Sequence, residues 1–194
     1  MDQSLKIAII DENPLRAQIL KEGLREAGHR NVAHISEMTN LLGRLKTLDP
    51  DVILIDLENP SRDVLEQMLR ISRTVKRPIA MFVDQSDAAS IEAAIGAGVS
   101  AYVVDGLKKE RVAHVLDISI IRFKAFSRLQ HELDQAKSAL EERKLVDRAK
   151  AILMRERKLL EQDAYALLRK TAMNENRRIA DIAQSVITAA DLFK

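Results

Sequence analysis

The chain has 194 residues, 46% of them hydrophobic and 31% charged, with a formal net charge of +2 at neutral pH. That suits a soluble protein with one ordinary domain and a smaller appendage, and so small a net charge does not by itself announce nucleic acid. Cysteine is absent, which excludes a disulfide framework and thiol chemistry. No apolar run approaches the roughly 20 residues that span a bilayer, and Met1-Asp2-Gln3-Ser4 lacks signal-peptide character, so a cytoplasmic protein without a membrane partner is expected.

Residues 5–10, 32–36, 52–57, 79–83 and 101–104 are short apolar or β-branched runs, each followed by a stretch with helical spacing. Near-continuous apolar strands are buried on both faces, as in a parallel sheet. The pattern predicts an α/β fold, a five-stranded doubly wound parallel sheet over residues 1–122, with its crevice at the carboxyl ends of the strands. Asp11 and Glu12 close the first strand and Asp56 the third, so the fold is expected to gather three acids there. Such a cluster repels itself unless a cation neutralises it, and a hard ion with oxygen ligands, Mg²⁺, is the usual solution. A relic cluster or a simple cation site that holds the loops is the plainer alternative.

These residues, together with Pro60 four positions after Asp56, Ala97-Gly98 and Ala101-Tyr102-Val103-Val104, resemble the receiver domain of two-component response regulators. The resemblance implies a flavodoxin-like fold, Mg²⁺ on Asp11, Glu12 and Asp56, and phosphoryl acceptance by Asp56. Two positions depart from the family pattern. Val83 stands where a hydroxyl residue is expected and cannot hydrogen-bond a phosphoryl oxygen, and Asp105 puts an anion where a Lys is expected. A receiver with a broken or much altered phosphorylation switch follows, a pseudo-receiver.

From 108 to about 154 there is neither Pro nor Gly, which predicts one long helix. Within it Phe126, Leu129, Leu133, Ala136 and Leu140 alternate spacings of three and four, a heptad seam flanked by charges of both signs. Residues 123–144 are read as a coiled-coil linker, with Phe126, Leu129, Leu133 and Leu140 as its dimerisation contacts in a homodimer. Packing of the seam on its own receiver is the alternative.

Apolar residues at helical spacing recur in three runs beyond it: Leu145, Val146, Ala149, Ile152 and Leu153; Ala164, Tyr165, Leu168 and Ala172; Ile179, Ile182, Ala183, Val186 and Ala190. Residues 145–194 therefore read as a small three-helix bundle. Asn174 is expected to take a left-handed helix end and Asn176 to cap the third helix. Basic residues outnumber acidic ones between Arg143 and Arg178, so the bundle should present a basic surface.

The segments Arg148-Ala-Lys-Ala-Ile-Leu-Met154, Glu161-Gln-Asp-Ala-Tyr-Ala-Leu-Leu-Arg-Lys-Thr-Ala-Met173 and Arg178-Ile-Ala-Asp-Ile-Ala183 resemble the ANTAR domain, the RNA-binding output module of bacterial antiterminators. Lys158 and Leu160 depart from it, standing where the family usually has Gly and then Ser or Thr. The resemblance implies binding of paired stem–loops in leader mRNA, with Arg148, Lys150, Arg169 and Lys170 gripping phosphates and Tyr165 or Met173 against an unpaired base. The order of receiver, heptad helix and ANTAR domain is similar to antiterminators of nitrate-assimilation and amide operons, which implies a ligand-sensing partner protein that sequesters the regulator until a nitrogen source arrives. A phosphorylation-dependent regulator and a protein-interaction or DNA-binding adaptor are the alternatives. No phosphate-cradling Gly-rich loop and no Cys or His metal spacing appears, and His29, His34, His114 and His131 are scattered, so no enzyme is expected.

Overall fold

The computed structural model describes residues 5–57, 62–104 and 107–192, so Pro60 and Asp105 lie outside the described residues. The chain divides into two compact units, Met1–Ser127 and Arg128–Lys194.

The first unit alternates strands and helices: β1 (Ile7–Ile10), α1 (Pro14–Glu26), β2 (Val32–Ile35), α2 (Leu41–Leu48), β3 (Val52–Leu57), α3 (Arg62–Val75), β4 (Ile79–Val83), α4 (Ala88–Gly96), β5 (Ala101–Val103) and then α5 (Lys109–Arg157). The five strands pair in the order β2-β1-β3-β4-β5, every pair parallel. This is the doubly wound sheet that the run spacing predicts. Side chains alternate between the faces of the sheet. Ala8, Ile10, Ile53 and Ile55 face a core closed by Leu41, Leu45, Met68, Ile71 and Ala94 from α2, α3 and α4. Ile7, Ile9, Val52 and Leu54 face the opposite core, closed by Ala17, Leu20 and Leu24 of α1 and by Val112, Val115 and Leu116 of α5.

On that second face α1 and α5 approach at backbone distance. A Cβ placed on Gly23 would lie 2.8 Å from the Lys109 carbonyl oxygen and 2.9 Å from Val112 Cβ. Absence of a side chain at Gly23 is what lets the first part of α5 close over α1. The start of α1 is fixed by sequence as well: Asn13 Oδ1 accepts from Leu15 N at 3.0 Å, and Pro14 occupies the first turn, where no amide is needed.

The long helix expected from the absence of Pro and Gly is present as α5. Every residue from 124 to 141 is exposed, so this stretch has no core of its own. In the second unit the last turns of α5 supply Ala149 and Leu153, α6 (Glu161–Glu175) supplies Ala164, Leu168 and Ala172, and α7 (Ile179–Leu192) supplies Ile182, Ala183 and Ile187 to one small core. The left-handed helix end falls at Asn176 (φ 51) and not at Asn174, which stays within α6; Asn176 ends that helix instead of capping the next. Asn tolerates this backbone because its short amide compensates locally.

Candidate functional site

The strands end in a crevice built by parity. Asp11 continues the alternation of Ile7 and Ile9, and Asp56 that of Val52 and Leu54, so both point to the face covered by α1. Asp11 is 3% and Asp56 2% exposed. Glu12 has the opposite parity and is exposed. The structure therefore brings Asp11 and Asp56 to one place and leaves Glu12 on the surface.

The cation in this crevice is Arg16, which the sequence analysis did not single out. It lies in the first turn of α1, and helical side chains lean toward the helix N-terminus, here toward the strand ends. Its Nε donates to Asp56 Oδ2 at 2.7 Å and its Nη2 to Asp56 Oδ1 at 2.7 Å, a bidentate fork. The same guanidinium donates to Asp84, which follows β4, through Nη1 at 3.2 Å and Nη2 at 3.1 Å. These carboxylates hold the Arg16 guanidinium charged more firmly than usual, the bond to Asp56 being the largest cause.

Asp11 is held differently. Its Oδ1 accepts from Asn13 N at 2.8 Å, its Oδ2 has no hydrogen-bond partner, and His34 Nε2 donates to its carbonyl oxygen at 2.9 Å. Burial, reinforced by the nearby Asp56 charge and opposed by Asn13, Arg16 and His34, pushes the Asp11 carboxyl from 3.8 up to about 6. The folded chain then holds a proton that the unfolded chain has released, so this group lowers stability as pH rises from about 4 through 6. Asp11→Asn is expected to stabilise the first unit by about 2 kcal/mol above pH ~7 and to change little near pH ~4. Urea denaturation at the two pH values checks it, and an equal effect at both would remove Asp11 as the titrating group.

These residues do not fit the Mg²⁺ that the receiver fold implies. Both oxygens of Asp56 are engaged by Arg16, Glu12 stands apart, and among the described residues no group of three carboxylate, His or Cys side chains could hold a metal ion. Val83, at the end of β4, is fully buried. Nearby, the Tyr102 hydroxyl and Ser86 Oγ are 2.8 Å apart, tying β5 to the segment after β4.

On the second unit the four basic candidates separate into two kinds. Lys150 Nζ lies 2.8 Å from both Asp147 and Glu161, with its side chain 16% exposed, and so clips α5 to α6. Arg148 Nη2 reaches Asp191 at 3.0 Å and clips α5 to α7. Arg169 and Lys170 are exposed on α6 and form no ion pair among the described residues. Tyr165, Arg169 and Met173 recur every four residues, one ridge of the helix, and Tyr165 and Met173 are 45% and 73% exposed. At the joint before α6, Lys158 takes a left-handed backbone (φ 53), and Leu160 stands at the N-cap without a side-chain hydrogen bond.

The seam residues Phe126, Leu129, Leu133 and Leu140 are between 48% and 62% exposed. They line one side of the exposed and otherwise largely polar stretch of α5 between 124 and 141.

Fold and crevice together define a receiver of the response-regulator type. Solved structures agree in fold, among them a putative pilus assembly-related protein from Burkholderia pseudomallei (TM-score 0.55, 18% identity, 63% of this chain and 93% of that one). Residues 7–117 match the response regulator receiver domain and residues 134–187 the ANTAR domain. The chain belongs to the receiver-domain response regulators that carry an ANTAR domain. It is 26% identical to the transcriptional regulatory protein PdtaR of Mycobacterium tuberculosis over 182 residues, 94% of this chain and 89% of that protein. A shorter stretch of 66 residues is 41% identical to the nitrate regulatory protein of Klebsiella oxytoca, covering 34% of this chain and 17% of that protein.

Proposed function

We propose that this chain is a transcription antitermination regulator that binds paired stem–loops in leader mRNA through its ANTAR domain. The observation that carries this reading is the outward ridge of Tyr165, Arg169 and Met173 beside Lys170 on α6. An exposed aromatic ring next to an unclipped guanidinium offers both a stacking platform for an unpaired base and a phosphate contact. Arg148 and Lys150 add positive charge at the rim while holding the helices together.

The regulator works as a homodimer through Phe126, Leu129, Leu133 and Leu140, because an exposed apolar stripe on a helix without a core is stabilised by a second copy. Control comes from a ligand-sensing protein that binds or releases the regulator in response to nitrate, nitrite or another nitrogen source. It does not come from phosphorylation of Asp56, whose oxygens already accept from Arg16. In this reading the chain is a cytoplasmic regulator without catalytic activity of its own. Its domains are the pseudo-receiver over 1–122, the coiled-coil linker over 123–144 and the RNA-binding bundle over 145–194.

Binding of the purified protein to a two-stem–loop leader RNA and to duplex DNA of equal length, across a salt series, tests the proposal. The RNA is expected to bind selectively, with an affinity that falls as salt rises. Tyr165→Ala/Arg169→Ala should weaken it by about tenfold or more, in line with the loss of one stack and one phosphate contact. Equal, weak binding of RNA and DNA, unchanged in the variant, would instead mark the bundle as a protein-docking device.

A further inference from the structure

We infer that Arg16 is the resident cation of this receiver: by holding Asp56 and Asp84 together it fills the role of a divalent ion and keeps the strand-end crevice from taking one up. Two carboxylates, Asp56 and Asp84, meet at this guanidinium through four hydrogen bonds of 2.7 to 3.2 Å, and the Asp11 carboxyl lies close enough to Asp56 to feel its charge. The Asp56 side chain has no exposure and that of Arg16 only 17%, so the pair is screened little by water. A planar fork matched to a buried carboxylate is not readily displaced by an ion that must first shed tightly held water.

What Arg16 leaves behind marks the crevice as a latent site and not merely an ion pair. Asp11 Oδ2 is buried, has no hydrogen-bond partner, and belongs to a carboxyl near enough to Asp56 to feel its charge. With the guanidinium gone, Asp56 and Asp84 would lose their shared counter-charge while Asp11 stays beside Asp56, and carboxylate oxygens left in that condition are the hard ligands that Mg²⁺ takes. The receiver is thus fixed in one electrostatic state by its own side chain and has no need of metal. This inference is independent of the RNA-binding proposal, and the failure of either leaves the other standing.

Titration of the full-length protein with MgCl₂, followed by calorimetry and by thermal unfolding, decides the matter. Wild type is expected to give no binding heat and no change in midpoint at millimolar Mg²⁺. Arg16→Ala should bind Mg²⁺ at least about tenfold more tightly, equivalent to ~1.4 kcal/mol, and its receiver transition should rise with the ion. Arg16→Ala/Asp56→Asn should lose that response. Arg16→Gln, which keeps much of the side-chain stem, is measured alongside and is expected to show the same Mg²⁺ response, so it decides the matter where Arg16→Ala folds poorly. Asp56-dependent Mg²⁺ uptake by the wild type overturns the inference, as does a folded Arg16 variant indifferent to the ion.

Discussion

Arg16→Ala is expected to lower the stability of the receiver unit by about 3 kcal/mol, and Arg16→Ala/Asp56→Asn to recover most of that loss. Removing the guanidinium leaves the Asp56 carboxylate, which has no solvent exposure, without a counter-charge. Breaking one side of a buried pair costs more than the pair contributes, typically ~3–5 kcal/mol, because the remaining charge stays desolvated. The lower end applies because Arg16 is partly exposed and Asp84 lies closer to solvent. Neutralising Asp56 removes the orphaned charge, so the two substitutions should be strongly non-additive, with an interaction of about 2 kcal/mol or more. Calorimetric unfolding measures all four corners of the cycle; additive losses would mean that the pair is not coupled in solution.

The second large effect is expected in the bundle. Leu168→Ala should abolish the transition of the second unit near room temperature while leaving that of the receiver in place. Leu168 is 1% exposed, and several of its core neighbours, Ala149, Ala164, Ala172 and Ala183, are small. Leu168 therefore supplies a disproportionate share of the apolar volume, and its truncation costs about 3 kcal/mol through lost transfer free energy and the cavity left behind. A unit of this size has little stability beyond that. Hydrogen exchange resolves the outcome by segment: α6 and α7 should lose protection while β1, β3 and β4 keep theirs. Uniform loss across the chain would show that the two units unfold together.

How much of this was legible in the sequence depended on whether the signal was local. The five strands are legible because each is a short, nearly unbroken β-branched run, and α5 because nothing in its sequence breaks a helix. Asp11 and Asp56 are legible as strand-end acids. The different fate of Glu12 was also available, since adjacent residues on an extended chain face opposite ways. Arg16 was not legible, because one basic residue in a first helical turn reads as ordinary surface. Its role depends on which loop the helix begins from and which way its side chains lean. Asp84 is hidden for the same reason, becoming a partner only when β4 is set beside β3. Composition located the basic character of the bundle, but only the packing of α5 against α6 and α7 shows that Lys150 and Arg148 are occupied while Arg169 and Lys170 are not.

The joint between α5 and α6 bears on how firmly the output module is made. Lys158 holds a left-handed backbone that a side chain disfavours by roughly 1 kcal/mol, and Leu160 leaves the first amides of α6 without the cap that a hydroxyl would provide, about another 1 kcal/mol. The bundle thus forgoes about 2 kcal/mol at two positions of one short joint, comparable to the ~2.7 kcal/mol returned by a ligand at a hundred times its dissociation constant. A ligand that binds only the folded bundle would offset that loss, and the unfolding midpoint of the second unit would then rise with the concentration of that ligand.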